Sequence, residues 1–166
     1  MRWLFGVPHN SADWFGYSVS SAMGSLAVVG APNASCPAGD CGSTYPANTG
    51  LAYEYTAPGW TTPGIIYPAN GGSGDLFGYS VATSGNGDYV VVGAPIHGSG
   101  QGEGYFFTPG YWGANTYNAE SQRVTNSSYG EFGWSVASYQ FTNRGSAVFG
   151  APVTNNYTGA AYLYDK

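Results

Sequence analysis

The stretch DWFGYSVSSAMGSLAVVGAP, residues 13–32, decides the fold. It reads Phe-Gly-x-Ser-Val, a short polar break, a run of Val and Ala, then Gly-Ala-Pro. The chain repeats the phrase: FGYSV recurs at 77–81 and FGWSV at 132–136, and Gly-Ala-Pro closes each copy at 30–32, 93–95 and 150–152. The opening Phe stands at positions 15, 77 and 132, 62 and then 55 residues apart. After a loop of variable length each copy continues with a Gly and alternating aromatics: Gly50 to Tyr53 and Tyr55, Gly104 to Tyr105 and Phe107, Gly159 to Tyr162 and Tyr164. A repeat of this period is the first thing a reading must explain.

Each piece has the composition of a strand. The segments are short, rich in Val, Tyr and Phe, and bounded by Gly, Pro and Asn. No window sustains a helical period, and Gly or Pro interrupts the chain throughout. A fourth strand is visible at Ile65-Ile66-Tyr67, ten residues before Phe77, and at Trp3-Leu4-Phe5, ten before Phe15; its third equivalent, near Arg123-Val124, is poorly marked. Four short antiparallel strands per repeat are the sequence form of a propeller blade. The expectation is an all-β chain, one domain over 1–166. Its first blade spans about 13–67, its second about 75–124, and its third about 130–166 together with the strand at 3–5.

The repeated phrase resembles the FG-GAP repeat of integrin α-chain propellers and of many secreted proteins, and the resemblance runs over nearly the whole chain. It implies propeller-type blades. Packing explains the phrase physically. The Phe is placed to bury between neighbouring sheets, and the Gly after it lets a neighbouring backbone approach. The Val-rich segment reads as a strand buried on both faces near a crowded centre, and Pro ends it because it has no N–H for the ladder. The resemblance also implies calcium in an Asp-rich loop between the first two strands. Here those loops, 20–25, 82–88 and 137–145, offer no set of carboxylates such as calcium requires. No cofactor is therefore expected.

Composition narrows the function classes. Charged residues make up 8% of the chain and aromatics 17%; Lys and Arg number 4 and the net charge is −5. Little is available to neutralise phosphates, which excludes nucleic acid as the expected partner. No apolar run reaches the ~20 residues of a membrane-spanning helix. Three sequons, Asn33-Ala-Ser35, Asn126-Ser-Ser128 and Asn156-Tyr-Thr158, offer attached sugar as a source of solubility. Asn33 and Asn156 fall in loops between second and third strands and Asn126 in a loop between blades, so all three are expected on one face. Cys36 and Cys41 share the first of these loops, and a local disulfide is the expected pairing for an extracellular or cell-surface chain. The apolar run Trp3-Leu4-Phe5 is too short for a secretory signal, so the sequence reads as a mature fragment or as part of a longer protein.

The residues give no catalytic constellation, and an enzyme is not expected. Asp13, Asp75 and Glu131 precede the Phe-Gly of each copy, and Ser18, Ser80 and Ser135 follow it. A position that recurs in every repeat suits a structural role, such as accepting turn N–H groups, better than a unique chemical one. His9 and His97 lie in loops of one predicted face. On the opposite face Trp60, Tyr111, Trp112 and Tyr117 follow Pro-Gly turns. Exposed aromatics of this kind suit a protein interface or stacking on sugar rings; folding back over the blade edge is the alternative.

Three blades do not close a propeller, which needs at least four. The chain opens on a fourth strand and its last blade stops at a third, so Trp3, Leu4 and Phe5 are expected to pair beside Tyr162, Leu163 and Tyr164, chiefly those of a neighbouring copy. Two copies exchanging strands would make a six-bladed ring, and head-to-tail addition a filament. The chain could instead be an excerpt of a larger propeller or a self-closed three-sheet prism. The functional expectation is an extracellular structural or adhesive glycoprotein module whose partners are other copies of itself. The alternative is a lectin-like module whose partners are glycans or cell-surface proteins.

Overall fold

The computed structural model describes Leu4 and residues 12–37, 40–41, 45–60, 63–108, 119–126, 129–141 and 144–165. It is an all-β structure of three antiparallel sheets. The first contains β1 (Ser18–Ala22), β2 (Leu26–Ala31), β3 (Leu51–Thr56) and β4 (Gly64–Ile66), in that order. The second contains β5 (Ser80–Thr83), β6 (Val90–Ala94), β7 (Glu103–Thr108) and β8 (Ala119–Val124), again in chain order. The third has β9 (Ser135–Phe141), β10 (Arg144–Ala151) and β11 (Ala160–Asp165), and no fourth strand among the described residues.

The register is the same in all three sheets. Gly30, Gly93 and Gly150 pair with Ser18, Ser80 and Ser135 on the first strand. Val28, Val91 and Val148 pair with Glu54, Phe106 and Leu163 on the third. Sequence spacing therefore maps onto three superposable sheets, and residues at one repeat position can be compared directly.

The sheets pack face to face in chain order. Leu26, Val28, Ala52 and Ile66 of the first sheet close over Phe77, Val92, Tyr105 and Phe107 of the second. Val91, Phe106 and Val124 on the second sheet's other face close over Phe132, Phe149 and Ala151 of the third. Each motif Phe packs edge-on or tilted against its own third-strand aromatics: Phe15 on Tyr53 and Tyr55, Phe77 on Tyr105 and Phe107, Phe132 on Tyr162 and Tyr164. Phe77 and Phe132 are fully buried between sheets, and a ring so placed contributes roughly 2–3 kcal/mol.

The Gly-Ala-Pro strand β6 is buried on both faces along its whole length, whereas β10 exposes Val148. The Gly-Ala-Pro strand is not the one nearest the centre, however. The first strands β1, β5 and β9 lie side by side in a row, β1 against β5 and β5 against β9, and the Gly-Ala-Pro strands stand one place outward. The loops after β6 and β10 also carry one-turn segments, His97–Gly100 and Thr154–Tyr157. Each contains three residues with positive φ, Gly98, Ser99 and Gly100 in one and Asn155, Asn156 and Tyr157 in the other. Gly and Asn tolerate that conformation better than most residues. Among the described residues no helix is long and apolar enough to cross a membrane.

Candidate functional site: the two open ends of the sheet stack

Inside the stack, one clasp recurs. Ser18 Oγ donates to the Gly78 carbonyl at 2.8 Å, from the first sheet to the second. Ser80 Oγ donates to the Gly133 carbonyl at 2.7 Å, from the second to the third. The backbones are so close here that a Cβ on Gly30 would lie 2.0 Å from the Gly78 carbonyl oxygen, and one on Gly93 2.0 Å from that of Gly133. Ser20 Oγ and Thr83 Oγ1 add a 2.9 Å contact at the first interface. At the second, the Tyr89 hydroxyl donates to the Tyr139 carbonyl at 2.8 Å. The repeated Ser, for which the sequence reading expected a structural role, thus fastens the first sheet to the second at Ser18 and the second to the third at Ser80.

The same positions at the two ends of the stack are unfilled. Ser135 has no such clasp among the described residues, and a Cβ on Gly150 would meet only its own strand neighbour Ser135. At the other end a Cβ on Gly16 meets nothing within 4 Å, whereas one on Gly78 would lie 2.3 Å from the Leu51 carbonyl oxygen. Exposure follows the same rule. Val28 and Val91 are 0% exposed and Val148 is 41%; Glu54 and Phe106 are 1% and Leu163 is 65%. On the first sheet's outer face Val19 is 70% exposed, while its counterpart Val81 is 8%. The third sheet thus presents a face with the register of a packed one and, among the described residues, no sheet against it.

The first sheet's outer face is partly covered. Tyr53 and Tyr55 are buried there under Phe15, Tyr45, Trp60 and Leu4. Burial pushes the Tyr53 hydroxyl up to about 12. Leu4 packs against the cluster that holds Phe15, as Ile66 of β4 shares that of Phe77 and Val124 of β8 that of Phe132. Trp3 and Phe5 lie outside the described residues. Tyr162 and Tyr164 face the second sheet, and Leu163 points to the open face.

A row of aromatics crosses the stack where the first strands begin. Trp14 stacks on Tyr17 at 6.0 Å, Tyr17 meets Tyr79 at 4.8 Å, and Tyr79 meets Trp134 at 4.7 Å. Trp14, Tyr17 and Trp134 are exposed. Sequence reasoning missed this row, although its signal was present: the third letter of the Phe-Gly-x-Ser phrase is aromatic in every copy. Trp60, read as a candidate surface aromatic, is half-buried against the Tyr53 cluster. Tyr111, Trp112 and Tyr117 lie outside the described residues.

At the same end of the strands a polar network ties the loops of the second sheet together. Asp75 Oδ2 accepts from the Gly72 N–H and contacts His97 Nδ1 at 2.7 Å. Glu103 Oε2 accepts from the Tyr105 hydroxyl at 2.7 Å and from Asn70 Nδ2 at 2.8 Å, and lies 3.2 Å from His97 Nε2. The hydrogen bond to Asp75 holds the imidazole above its ordinary value, against the opposing effect of burial. Asp75 thus accepts a turn N–H, as its repeated position suggests, and also anchors a histidine. Sequence reasoning did not connect these residues. His9 lies outside the described residues.

Asn33, Asn126 and Asn156 all lie in loops at this end of the strands. Asn156 is exposed; Asn33 Nδ2 donates to the Ala12 carbonyl at 2.8 Å, and Asn126 Nδ2 to the Tyr162 hydroxyl at 2.9 Å. Cys36 and Cys41 form a disulfide, with Cα atoms 6.0 Å apart, beside the Tyr53 cluster.

Comparison with curated proteins gives no match. Residues 60–107, from the turn after β3 through β4, β5 and β6 into β7, match the family model of the FG-GAP repeat, and the chain carries an FG-GAP repeat over that span.

Proposed function

We propose that this chain is an extracellular structural or adhesive glycoprotein module, non-catalytic and cofactor-free, that self-associates by continuing its stack of propeller-type blades from copy to copy. The observation that carries this reading is the third sheet. Among the described residues it has three strands where the others have four, and it exposes Val148 and Leu163 at positions that are buried in the sheets before it. A sheet edge and a sheet face left bare together are surfaces that proteins normally pair or cover. The segment around Leu4, a residue that packs against the first sheet's Tyr53 cluster, is suited to complete the third sheet of a neighbouring copy. The Cys36–Cys41 disulfide and the three sequons at one end of the strands support an oxidising, glycosylating route to the cell surface. Sedimentation velocity on the full chain and on a chain lacking residues 1–6 tests the reading. Association of the full chain that is lost on truncation supports it, and a full chain that stays monomeric overturns it.

A second reading, a carbohydrate-binding module, is favoured by the row of Tyr17, Tyr79 and Trp134, of which Tyr17 and Trp134 are exposed. Aromatic faces of this kind stack on sugar rings. Binding on a glycan array that falls with Tyr17→Ala or Trp134→Ala supports this reading, and association unaffected by competing sugars favours the first.

A further inference from the structure

Copies that associate through their end sheets can meet in three ways: third sheet to first, third to third, or first to first. Resting on the self-association reading above, we infer that the outward face of the third sheet of one copy docks on the outer face of the first sheet of a second copy. The register is the one already used twice within the chain. The Ser135 hydroxyl donates to the Gly16 carbonyl of the second copy, and Trp134 meets its Tyr17.

The two interfaces within the chain define what a third must look like. In both, a first-strand Ser reaches the carbonyl of the Gly in the next Phe-Gly pair, at 2.8 and 2.7 Å. Among the described residues one such Ser, Ser135, and one such Gly, Gly16, make no such clasp, at opposite ends of the stack. The close-approach glycines tell the same story. A Cβ on Gly50 would lie 2.1 Å from the Phe77 carbonyl oxygen and one on Gly102 2.2 Å from that of Phe132. One on Gly159, the third of the set, comes no nearer than 3.5 Å to any neighbour. The first two of these spaces hold a Phe-Gly backbone, and Gly16, where a Cβ would meet nothing within 4 Å, is open to the third.

The aromatic row extends the argument. Tyr17 meets Tyr79, Tyr79 meets Trp134, and in the proposed register Trp134 meets the next copy's Tyr17. Val19 is placed to receive the same cover that Val81 receives from the first sheet. A third-to-third or first-to-first contact would set two Ser or two Gly carbonyls against each other and leave the clasp unmade. The occupant of the third sheet's face is therefore a second copy of this chain, presenting its first sheet. Such a contact is heterologous; it closes into a ring or runs on as a filament according to the rotation per sheet.

The test uses two positions that are exposed in the single chain, so that folding is unaffected. Val19→Arg blocks the first-sheet face and Leu163→Arg the third-sheet face. Sedimentation equilibrium on the full chain should show wild type associating and each variant alone monomeric. An equimolar mixture of the two variants should give a species of two chains, through the one intact pair of faces. If either variant alone associates as wild type does, or the mixture stays monomeric, the head-to-tail register is wrong. Monomeric wild type instead overturns the self-association reading itself. Ser135→Val should weaken association about five- to tenfold, the loss of one hydrogen bond at the interface, with the urea midpoint of the monomer unchanged. An unaltered association constant in that variant refutes the Ser135–Gly16 contact.

Discussion

Ser18 and Gly78, 60 residues apart in the chain, are joined across two sheets by a hydroxyl-to-carbonyl hydrogen bond of 2.8 Å, and Ser80 and Gly133 repeat it at 2.7 Å. Removing the donor strands a carbonyl between packed sheets. Ser80→Ala should therefore cost about 1–2 kcal/mol in urea unfolding. Ser135→Ala, the same letter in the same phrase but without a clasp, should leave the monomer within about 0.5 kcal/mol of wild type. Equal costs at Ser80 and Ser135 in the monomer would contradict the assignment.

Gly93→Ala and Gly150→Ala form a second pair. The new methyl at 93 would lie 2.0 Å from the Gly133 carbonyl oxygen, a backbone atom, so the second and third sheets must separate. Overpacking of this kind costs about 1–3 kcal/mol or more. At 150 it meets only the Ser135 hydroxyl, at 2.3 Å, and a side chain at an open face can turn away. Thermal unfolding should show Gly93→Ala strongly destabilised and Gly150→Ala close to wild type. The reverse order would show that the end faces are misassigned.

His97 makes stability depend on pH with a definite sign. Its folded-state value is raised above the ordinary 6.5, first by the hydrogen bond to Asp75 and then by the charges of Asp75 and Glu103, against burial and the Arg123 guanidinium. The folded state therefore holds the proton more tightly than the unfolded one. The resulting stabilisation is complete below the unfolded value and is lost as pH rises through the folded value. Urea midpoints measured from about pH 5 to about pH 9 should fall more for wild type than for His97→Gln. Parallel profiles for the two proteins would exclude the imidazole as the source.

The Cys36–Cys41 disulfide closes a short loop beside the Tyr53 cluster. On the chain-entropy model its loss, in a Cys36→Ser, Cys41→Ser double variant, should cost about 2 kcal/mol. A double variant as stable as wild type would mean that the unfolded state is not constrained by the link.

The phrase Phe-Gly-x-Ser-Val to Gly-Ala-Pro made the first three strands of each sheet legible, because Val, Tyr and Phe recur at one register between Gly and Pro. The fourth strand was less so. β8 reads Ala-Glu-Ser-Gln-Arg-Val, an outer-edge strand whose exposed residues need no apolar alternation, and a bulge between Phe106 and Phe107 on β7 shifts its pairing. The Ser clasps and the His97 network were invisible for a different reason. Each joins residues from separate loops or sheets, Asn70 to Glu103 and Ser80 to Gly133, and no local pattern encodes such a meeting. Trp60 shows the converse. A Pro-Gly turn marks a bend, but it does not say on which side of the sheet the next ring comes to rest.

The central claim is that the stack of sheets runs on from one copy to the next. Electron microscopy of the native particle, with its mass measured in parallel, tests it most directly. The account predicts particles of two or more 17.3 kDa chains, apart from attached glycan, with sheets stacked in one continuous ring or filament. Single chains alone, at every concentration up to the micromolar range, would contradict it.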